Sequence, residues 1–314
     1  MKTSTCVVLW LSLALIVVGI VVALIGFLNG GLVTPTVNKS YEVSEQFSNI
    51  SIKGDTNDVR FALSEDGICR VECVEFEKVP NEVSVKDQTL EINSINGRKW
   101  YDYIGFNMGS GSVTVYLPSA AYQSMNVDNS TGDIEVYAGF SFESVSVSSS
   151  TGDVKLSGIS AGTVTVNGKT GDVEISHTTV SGSVAVRIST GKVAMKSLTA
   201  GDVTLNASTG EISLESVRCA SLTTKNTTDA HRYEDVIVSG DANITGRTSD
   251  ITLIGFDAAN IDIKTSTGDI FGILLSAKRF DVDTSTGEII RPQDGEGGIC
   301  KARASTGDVE FRIQ

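Results

Sequence analysis

The stretch Ser130-Thr131-Gly132-Asp133-Ile134-Glu135-Val136 contains the unit from which most of this 314-residue chain is built. It recurs as Thr-Gly followed by a residue that is usually acidic, with degenerate copies at Thr228-Asp229-Ala230 and Thr248-Ser249-Asp250. The place that glycine usually occupies, called here the glycine position, falls at 132, 152, 171, 191, 210, 229, 249, 268, 287 and 307, always 19 or 20 residues apart. Periods in this range are typical of repeat architectures in which each unit stacks on the next.

Apolar and polar residues alternate on both sides of the glycine position, as expected for half-buried strands. The apolar pairs two and four places after it include Ile134/Val136, Val154/Leu156, Val173/Ile175, Val193/Met195, Ile212/Leu214, Ile251/Leu253 and Val309/Phe311. In the sixth repeat His231 and Tyr233 fill these two places. Each repeat is therefore predicted to be a strand, a tight turn, a second strand and a short corner.

The turn explains the recurring glycine, because a residue without Cβ reaches positive φ at no steric cost. The predicted structural turn glycines are Gly132, Gly152, Gly171, Gly191, Gly210, Gly268, Gly287 and Gly307, with Asp229 and Ser249 as substitutes. A hairpin turn would give a meander or propeller instead. One turn at nearly constant spacing favours an all-β, single-stranded parallel β-solenoid of about ten coils of 19–20 residues.

Five segments are predicted along the chain. After a tail at residues 1–5, residues 6–28 form an uninterrupted apolar run of 23 residues, which predicts one N-terminal transmembrane helix and not a cleaved signal peptide. Residues 29–40 are predicted to form a tether. Residues 41–118 are predicted to form a membrane-proximal β region that starts or caps the solenoid, and residues 119–314 the repeat solenoid. Lys2 before the run weakly favours a cytoplasmic N-terminus and an extracellular C-terminal domain.

Two features stand out in the membrane-proximal region. The segment from Phe47 to Phe61 resembles a degenerate copy of the repeat unit. A glycine-rich loop carries Trp100, Tyr101, Tyr103 and Phe106 on a chain otherwise poor in aromatic residues. This loop is interpreted either as a cap over the open end of the solenoid or as a contact surface for a partner.

Composition argues against several function classes. The net charge of −13 and the lack of basic clusters exclude a typical nucleic-acid binder. The two histidines and five scattered cysteines do not form a zinc motif, so no metal, cofactor or catalytic residue is predicted. The stacked acidic residues could bind calcium. Neighbouring carboxylates about 4.8 Å apart repel by only roughly 0.9 kcal/mol in water, however, so the stack does not need a cation to be stable. We expect them instead to accept backbone N–H groups in their own turns.

The chain resembles a known family. A β region that ends in Val113-Thr114-Val115-Tyr116-Leu117-Pro118, followed by repeated Ser-Thr-Gly-Asp units, is similar to the DUF4097 family of bacterial adhesin-like proteins over about residues 41–314. The resemblance implies a β-solenoid on the cell envelope behind a membrane anchor, and it supplies no catalytic residue.

The preferred function is a non-enzymatic, single-pass cell-membrane protein that presents its repetitive surface to a surface protein or glycan. A scaffold that associates end to end with other copies is the alternative. A carbohydrate-active β-helix enzyme is a third interpretation, for which His231 to Asp235 is the one comparable polar cluster.

Overall fold

A computed structural model describes residues 3–28, 36–97, 111–137 and 139–314. Its one helix within these ranges, α1, spans Thr3–Leu28. Among the described residues, no helix is both long and apolar enough to cross a membrane. The predicted helix at residues 6–28 is therefore present, while its role as a transmembrane anchor is not shown.

The rest of the described chain is β structure. The strands are β1 (Thr36–Val43), β2 (Asn49–Leu63), β3 (Cys69–Phe76), β4 (Asn81–Lys86), β5 (Thr89–Ser94), β6 (Gly111–Leu117), β7 (Ala121–Thr131), β8 (Ile134–Val136), β9 (Ser141–Thr151), β10 (Val154–Ser157), β11 (Ser160–Thr170), β12 (Val173–Val180), β13 (Val184–Thr190), β14 (Val193–Thr199), β15 (Asp202–Thr209), β16 (Ile212–Cys219), β17 (Ser221–Thr228), β18 (His231–Thr245), β19 (Ile251–Thr267), β20 (Ile270–Leu274), β21 (Arg279–Thr286), β22 (Ile289–Ile290), β23 (Ile299–Thr306) and β24 (Val309–Ile313).

These strands form the predicted parallel β-solenoid. The threonines that precede the glycine positions pair in one unbroken column, from Thr131 through Thr267 to Thr306 and then Thr286. Strands that follow the turn stack in the same way, as when Val154 of β10 pairs with Ile134 and with Val173. The register read from the repeats is therefore confirmed.

The core is the apolar interior that these strands enclose. Side chains two and four places after the glycine position are buried throughout the inner coils, as with Ile134, Val136, Ile212 and Leu214. Parallel strands with one face inward and one outward explain the alternating pattern, because successive side chains of a strand point to opposite faces.

The residue at the glycine position has the predicted positive φ at nine of the ten sites. The eight predicted turn glycines all have positive φ, between 118° and 152°, and Asp229 has φ 78°. Ser249 does not, so the prediction that it adopts positive φ is wrong. Its coil turns differently around Gly246, whose added Cβ would lie 2.7 Å from Ser249 Cβ.

The short corner predicted after the second strand is a second corner of the coil, and in six coils it lies six places after the glycine position. Gly158, His177, Ser197, Ser216, Asp235 and Gly255 all adopt φ between 50° and 67° there. A third column of backbone bonds links Gly162, Gly182, Gly201, Ala220 and Gly240. With the glycine corner, these columns make the coil three-sided.

The N-terminal end of the stack departs from chain order. β2 is indeed a copy of the repeat, and it pairs with β7 and β8 on one side and with β5 and β6 on the other. β3 adds antiparallel to β6, β1 to β3, and β4 to β5. These antiparallel strands end the parallel stack, so residues 41–118 both start the solenoid and cap it. The aromatic loop proposed as the cap lies outside the described residues.

The C-terminal end is also out of order. β23 pairs with β19 and with β21, and β24 pairs with β20 and with β22. The last strands of the sequence are therefore inserted between the coil that contains β19–β20 and the coil that contains β21–β22. The outermost coil is residues 279–290.

This insertion predicts a specific crosslink. Asp262 of β19 pairs with Lys301 of β23, which in turn pairs with Asp281 of β21. We expect the variant Asp262→Cys/Lys301→Cys to form a disulfide on mild oxidation, because neighbouring strands bring the two Cα atoms within disulfide range. Peptide mapping of the full chain by mass spectrometry would detect it. Efficient crosslinking in the control pair Asp262→Cys/Asp281→Cys would instead show coils stacked in chain order.

Candidate functional site

One long side of the solenoid carries an unusually uniform outer surface. It is formed by the strands that precede the glycine corner, and its outward residues in the coils from β7 to β17 are mostly Ser, Thr and Asn. We call this the hydroxyl face and define it by Asn126, Ser144, Ser146, Ser148, Thr163, Thr165, Asn167, Thr204, Asn206 and Thr223. Asp128 in β7, Ala185 and Arg187 in β13, and Lys225 in β17 interrupt it.

The hydroxyl face is a regular polar lattice. Its rows repeat about every 4.8 Å from coil to coil, and outward residues along one strand lie roughly 6.6 Å apart. Within the described residues, none of its ten side chains takes part in a side-chain hydrogen bond or ion pair of the protein. Its hydroxyl and amide groups are therefore free to bond to water or to a ligand.

The neighbouring side, called here the ionic face, differs in this respect. It is formed by the strands that follow the glycine corner and carries cross-coil ion pairs. Arg60 Nε lies 3.0 Å from Glu135 Oε2, and Lys196 Nζ lies 3.5 Å from Glu215 Oε2. Its charged groups are largely matched within the protein, so the ionic face offers fewer unused groups than the hydroxyl face.

The acidic residues after the glycine position have a structural role between coils. Asp133 Oδ1 accepts the N–H of Asp153 at 2.8 Å, and Asp153 Oδ1 accepts that of Asp172 at 2.8 Å. The same bonds run from Asp58 to Asp133 and from Asp250 through Asp269 and Asp308 to Glu288. The expectation that each Asp caps its own turn is therefore wrong, since the acceptor belongs to the adjacent coil.

These bonds bear on the calcium interpretation. One oxygen of each bonded Asp is already used by a backbone N–H of the next coil. Among the described residues, no three His, Cys, Asp or Glu side chains come together in a way that could hold a metal ion. The acidic column thus stabilises the stack through charge-assisted hydrogen bonds.

The polar cluster around His231 is internal. His231 and Tyr233 are fully buried, His231 Nδ1 lies 2.8 Å from Tyr233 Oη, and that oxygen lies 2.6 Å from Thr224 Oγ1. Burial lowers the pKa of His231 to about 4, so the ring is neutral at pH 7. β18 pairs with β16 in regular register from His231 to Glu234, so the cluster lies on a continuous strand pair.

The rest of the His231–Asp235 cluster is split by the strand geometry. Tyr233 points inward with His231, whereas Arg232 and Glu234 are exposed on the outer side. Asp235 sits at the second corner and pairs with Arg218 at 2.8 Å. The cluster therefore does not gather around one cleft.

The cysteines in the solenoid are buried and free. Cys69, Cys73, Cys219 and Cys300 form no disulfide. Burial raises the pKa of Cys73 and of Cys300 to about 12, which keeps both thiols protonated and poorly nucleophilic. They serve as small core side chains.

The predicted contact loop cannot be placed. Trp100, Tyr101, Tyr103 and Phe106 lie outside the described residues. A groove of about 620 Å³ is present in the N-terminal region, between Val43–Phe47, Gly67–Cys69 and Pro118–Tyr122. Phe47, Tyr122 and Phe142 stack in sequence beside it, with ring centroids 5.6 and 6.3 Å apart.

Comparison with solved structures shows the same fold. A putative adhesin from Parabacteroides merdae superposes with a TM-score of 0.50 at 12% identity, covering 88% of this chain and 96% of that one. A putative lipid binding protein from Parabacteroides distasonis gives 0.47 at 12% identity, with 86% and 98% covered. A putative adhesin from Bacteroides fragilis gives 0.42 at 13% identity, with 88% and 97% covered. At 12% identity, the likeness to the Parabacteroides merdae structure shows the fold alone.

No curated protein matches the sequence. A family model matches residues 47–232 and 178–314. Together these ranges include every repeat and the degenerate copy in β2. The family predicted from the Ser-Thr-Gly-Asp units is thereby confirmed. The chain belongs to the Toastrack DUF4097 family.

Proposed function

We propose that the protein is a membrane-anchored, non-enzymatic surface module whose hydroxyl face binds a glycan or a surface protein. The observation that carries the proposal is the lattice of ten Ser, Thr and Asn side chains whose polar groups the protein itself leaves unused. A flat array of donors and acceptors suits a repetitive, hydroxyl-bearing polymer. Each bond to such a ligand adds modestly, and several rows acting together give avidity.

The proposed anchor is the N-terminal segment. Its support is the apolar run at residues 6–28 and the exposure of the ten large apolar side chains described on α1 between Trp10 and Leu24, each at least 47% exposed. A helix that is apolar on all sides is buried in protein or in lipid.

The structure gives less support to the alternatives. An enzyme that uses His231 would need substrate to reach a fully buried ring. End-to-end association of two β21 edges would bring Asp283 of each copy close together, and like-charge repulsion would oppose that contact. Both alternatives are therefore ranked below the surface module.

Paired substitutions on the two faces test the proposal. In the full chain displayed on cells, Ser146→Glu/Thr204→Glu adds two charges and two longer side chains to the hydroxyl face. We expect at least about tenfold weaker retention of these cells on a glycan array or on isolated cell envelopes, because each carboxylate must be desolvated when a ligand lies flat on the lattice.

The control is Ala194→Glu/Thr252→Glu, which makes the same change of charge at outward positions of the ionic face. It should leave retention unchanged. Equal loss in both variants would mean that charge alone is responsible, and no loss in the first variant would remove the hydroxyl face as the binding surface.

A further inference from the structure

We infer that the outer edge of β21 is a docking site for an extended, basic polypeptide segment, which would add to the solenoid as one more strand. β21 belongs to the outermost coil and pairs with β23 only within the described residues. The opposite end of the solenoid is closed by the antiparallel strands β1, β3 and β4. The two ends therefore differ, and in the described part of the chain only this one presents a parallel strand with a vacant side.

The backbone of β21 shows which groups are vacant. Arg279 N–H bonds to Gly298 O on the inner side, and in a parallel pair the next residue points the other way. Phe280 N–H does point outward, where Asp294 Oδ1 accepts it at 2.9 Å. The N–H groups of Val282 and Thr284 point to the same side, away from β23, and have no backbone partner there among the described residues. A strand of two to four residues can pair there.

The interior of the same coil is open. Ile289 occupies the inward place two residues after its glycine position and is 41% exposed, whereas Ile270 in the same place of an inner coil is 1% exposed. Val282 is likewise only partly buried, although it is inward. An added strand with apolar residues at alternate positions would cover both side chains, and this burial is favourable.

The charges of the edge select the kind of strand. Asp283 and Glu288 have no ion-pair partner in the described part of the chain, and Asp281 is already held by Arg303 at 2.6 Å. Arg279 precedes Phe280, whose N–H is already bonded to Asp294. Its positive charge therefore lies outside the vacant section of the edge. A partner with Lys or Arg at its outward positions would pair with these carboxylates, while a second copy of β21 would meet them with its own. The geometry thus favours a basic partner strand over self-association.

The test is peptide binding to the full chain in detergent micelles. The probe is a fluorescent peptide of alternating lysine and valine, compared by anisotropy with a peptide of alternating glutamate and valine. The basic peptide is expected to bind the wild type at least about tenfold more tightly. Val282→Pro removes an outward N–H and leaves the bonds to β23 intact, and it should abolish the difference.

A charge exchange separates this site from general attraction to an acidic protein. Asp283→Lys should weaken binding of the basic peptide. Glu174→Lys, the same change of charge on the ionic face, should leave that binding unchanged. Circular dichroism melting confirms that each variant is folded. Equal peptide binding in wild type and Val282→Pro overturns the proposal. A wild-type dimer seen by light scattering and lost in Val282→Pro would overturn it as well, because the occupant would then be a second copy.

Discussion

Gly171→Ala is expected to lower the free energy of unfolding by about 2–6 kcal/mol. Gly171 has φ 130°, a conformation that residues with a side chain rarely adopt, and an added Cβ would lie 2.1 Å from the carbonyl oxygen of Gly152 in the next coil. Backbone strain of about 1–3 kcal/mol and overpacking of about 1–3 kcal/mol then add together. Urea unfolding followed by circular dichroism measures the loss.

The matched control is Gly168→Ala, near the end of β11 and just before the same turn. Gly168 does not have positive φ, its added Cβ would make ordinary contacts of 3.4 Å or more with Ile188, and alanine already stands at the equivalent position as Ala207. This variant should be neutral, or more stable by up to about 1 kcal/mol. Similar stability losses in both variants would contradict the proposed role of the glycine corner.

His231 is expected to make the solenoid sensitive to acid. The pKa of the folded-state ring, about 4, lies below its ordinary value of 6.5, so the unfolded chain binds the proton more readily. The stabilising contribution of the neutral ring is complete above pH 6.5 and is lost as the pH falls towards 4. It amounts to about 3 kcal/mol. Urea unfolding of wild type and His231→Leu between pH 7 and pH 4 measures it.

Leucine suits this position because the equivalent places in other coils hold apolar residues such as Ile212 and Ile251. Tyr233 keeps its contact with Thr224. The difference in stability between His231→Leu and wild type should therefore shift in favour of the variant as the pH falls. His177→Asn, at an exposed corner, is the control. Parallel curves for wild type and His231→Leu would show that His231 does not cause the acid sensitivity.

The repeats were sufficient to predict the parallel solenoid and its register. Two signals agreed, namely the glycine position and the alternation of apolar residues around it, and both depend on short-range backbone and burial requirements. The order of the last coils could not be read in this way. Thr286-Gly287-Glu288 and Thr306-Gly307-Asp308 carry the same pattern, so either could stack on Thr267. Which of the two stacks on Thr267 is decided by long-range strand pairing.

The candidate site was only partly predictable. A repetitive Ser, Thr and Asp surface was expected, but the alternation does not say which hydroxyl groups are free and which are bonded. The Asp residues turned out to be used between coils, as with Asp133 and Asp153, whereas the hydroxyl face is unused. The aromatic loop, chosen for its composition, stays a prediction because it lies outside the described residues.

Protease treatment of intact cells that carry a tag after Gln314 tests most directly whether the solenoid stands outside the membrane. β24 ends at Ile313 on the solenoid surface, so a tag attached there is open to digestion. We expect the tag to be removed without lysis while a cytoplasmic marker stays intact. A tag that is protected until the cells are lysed would place the solenoid inside and contradict its proposed function as a surface interaction module.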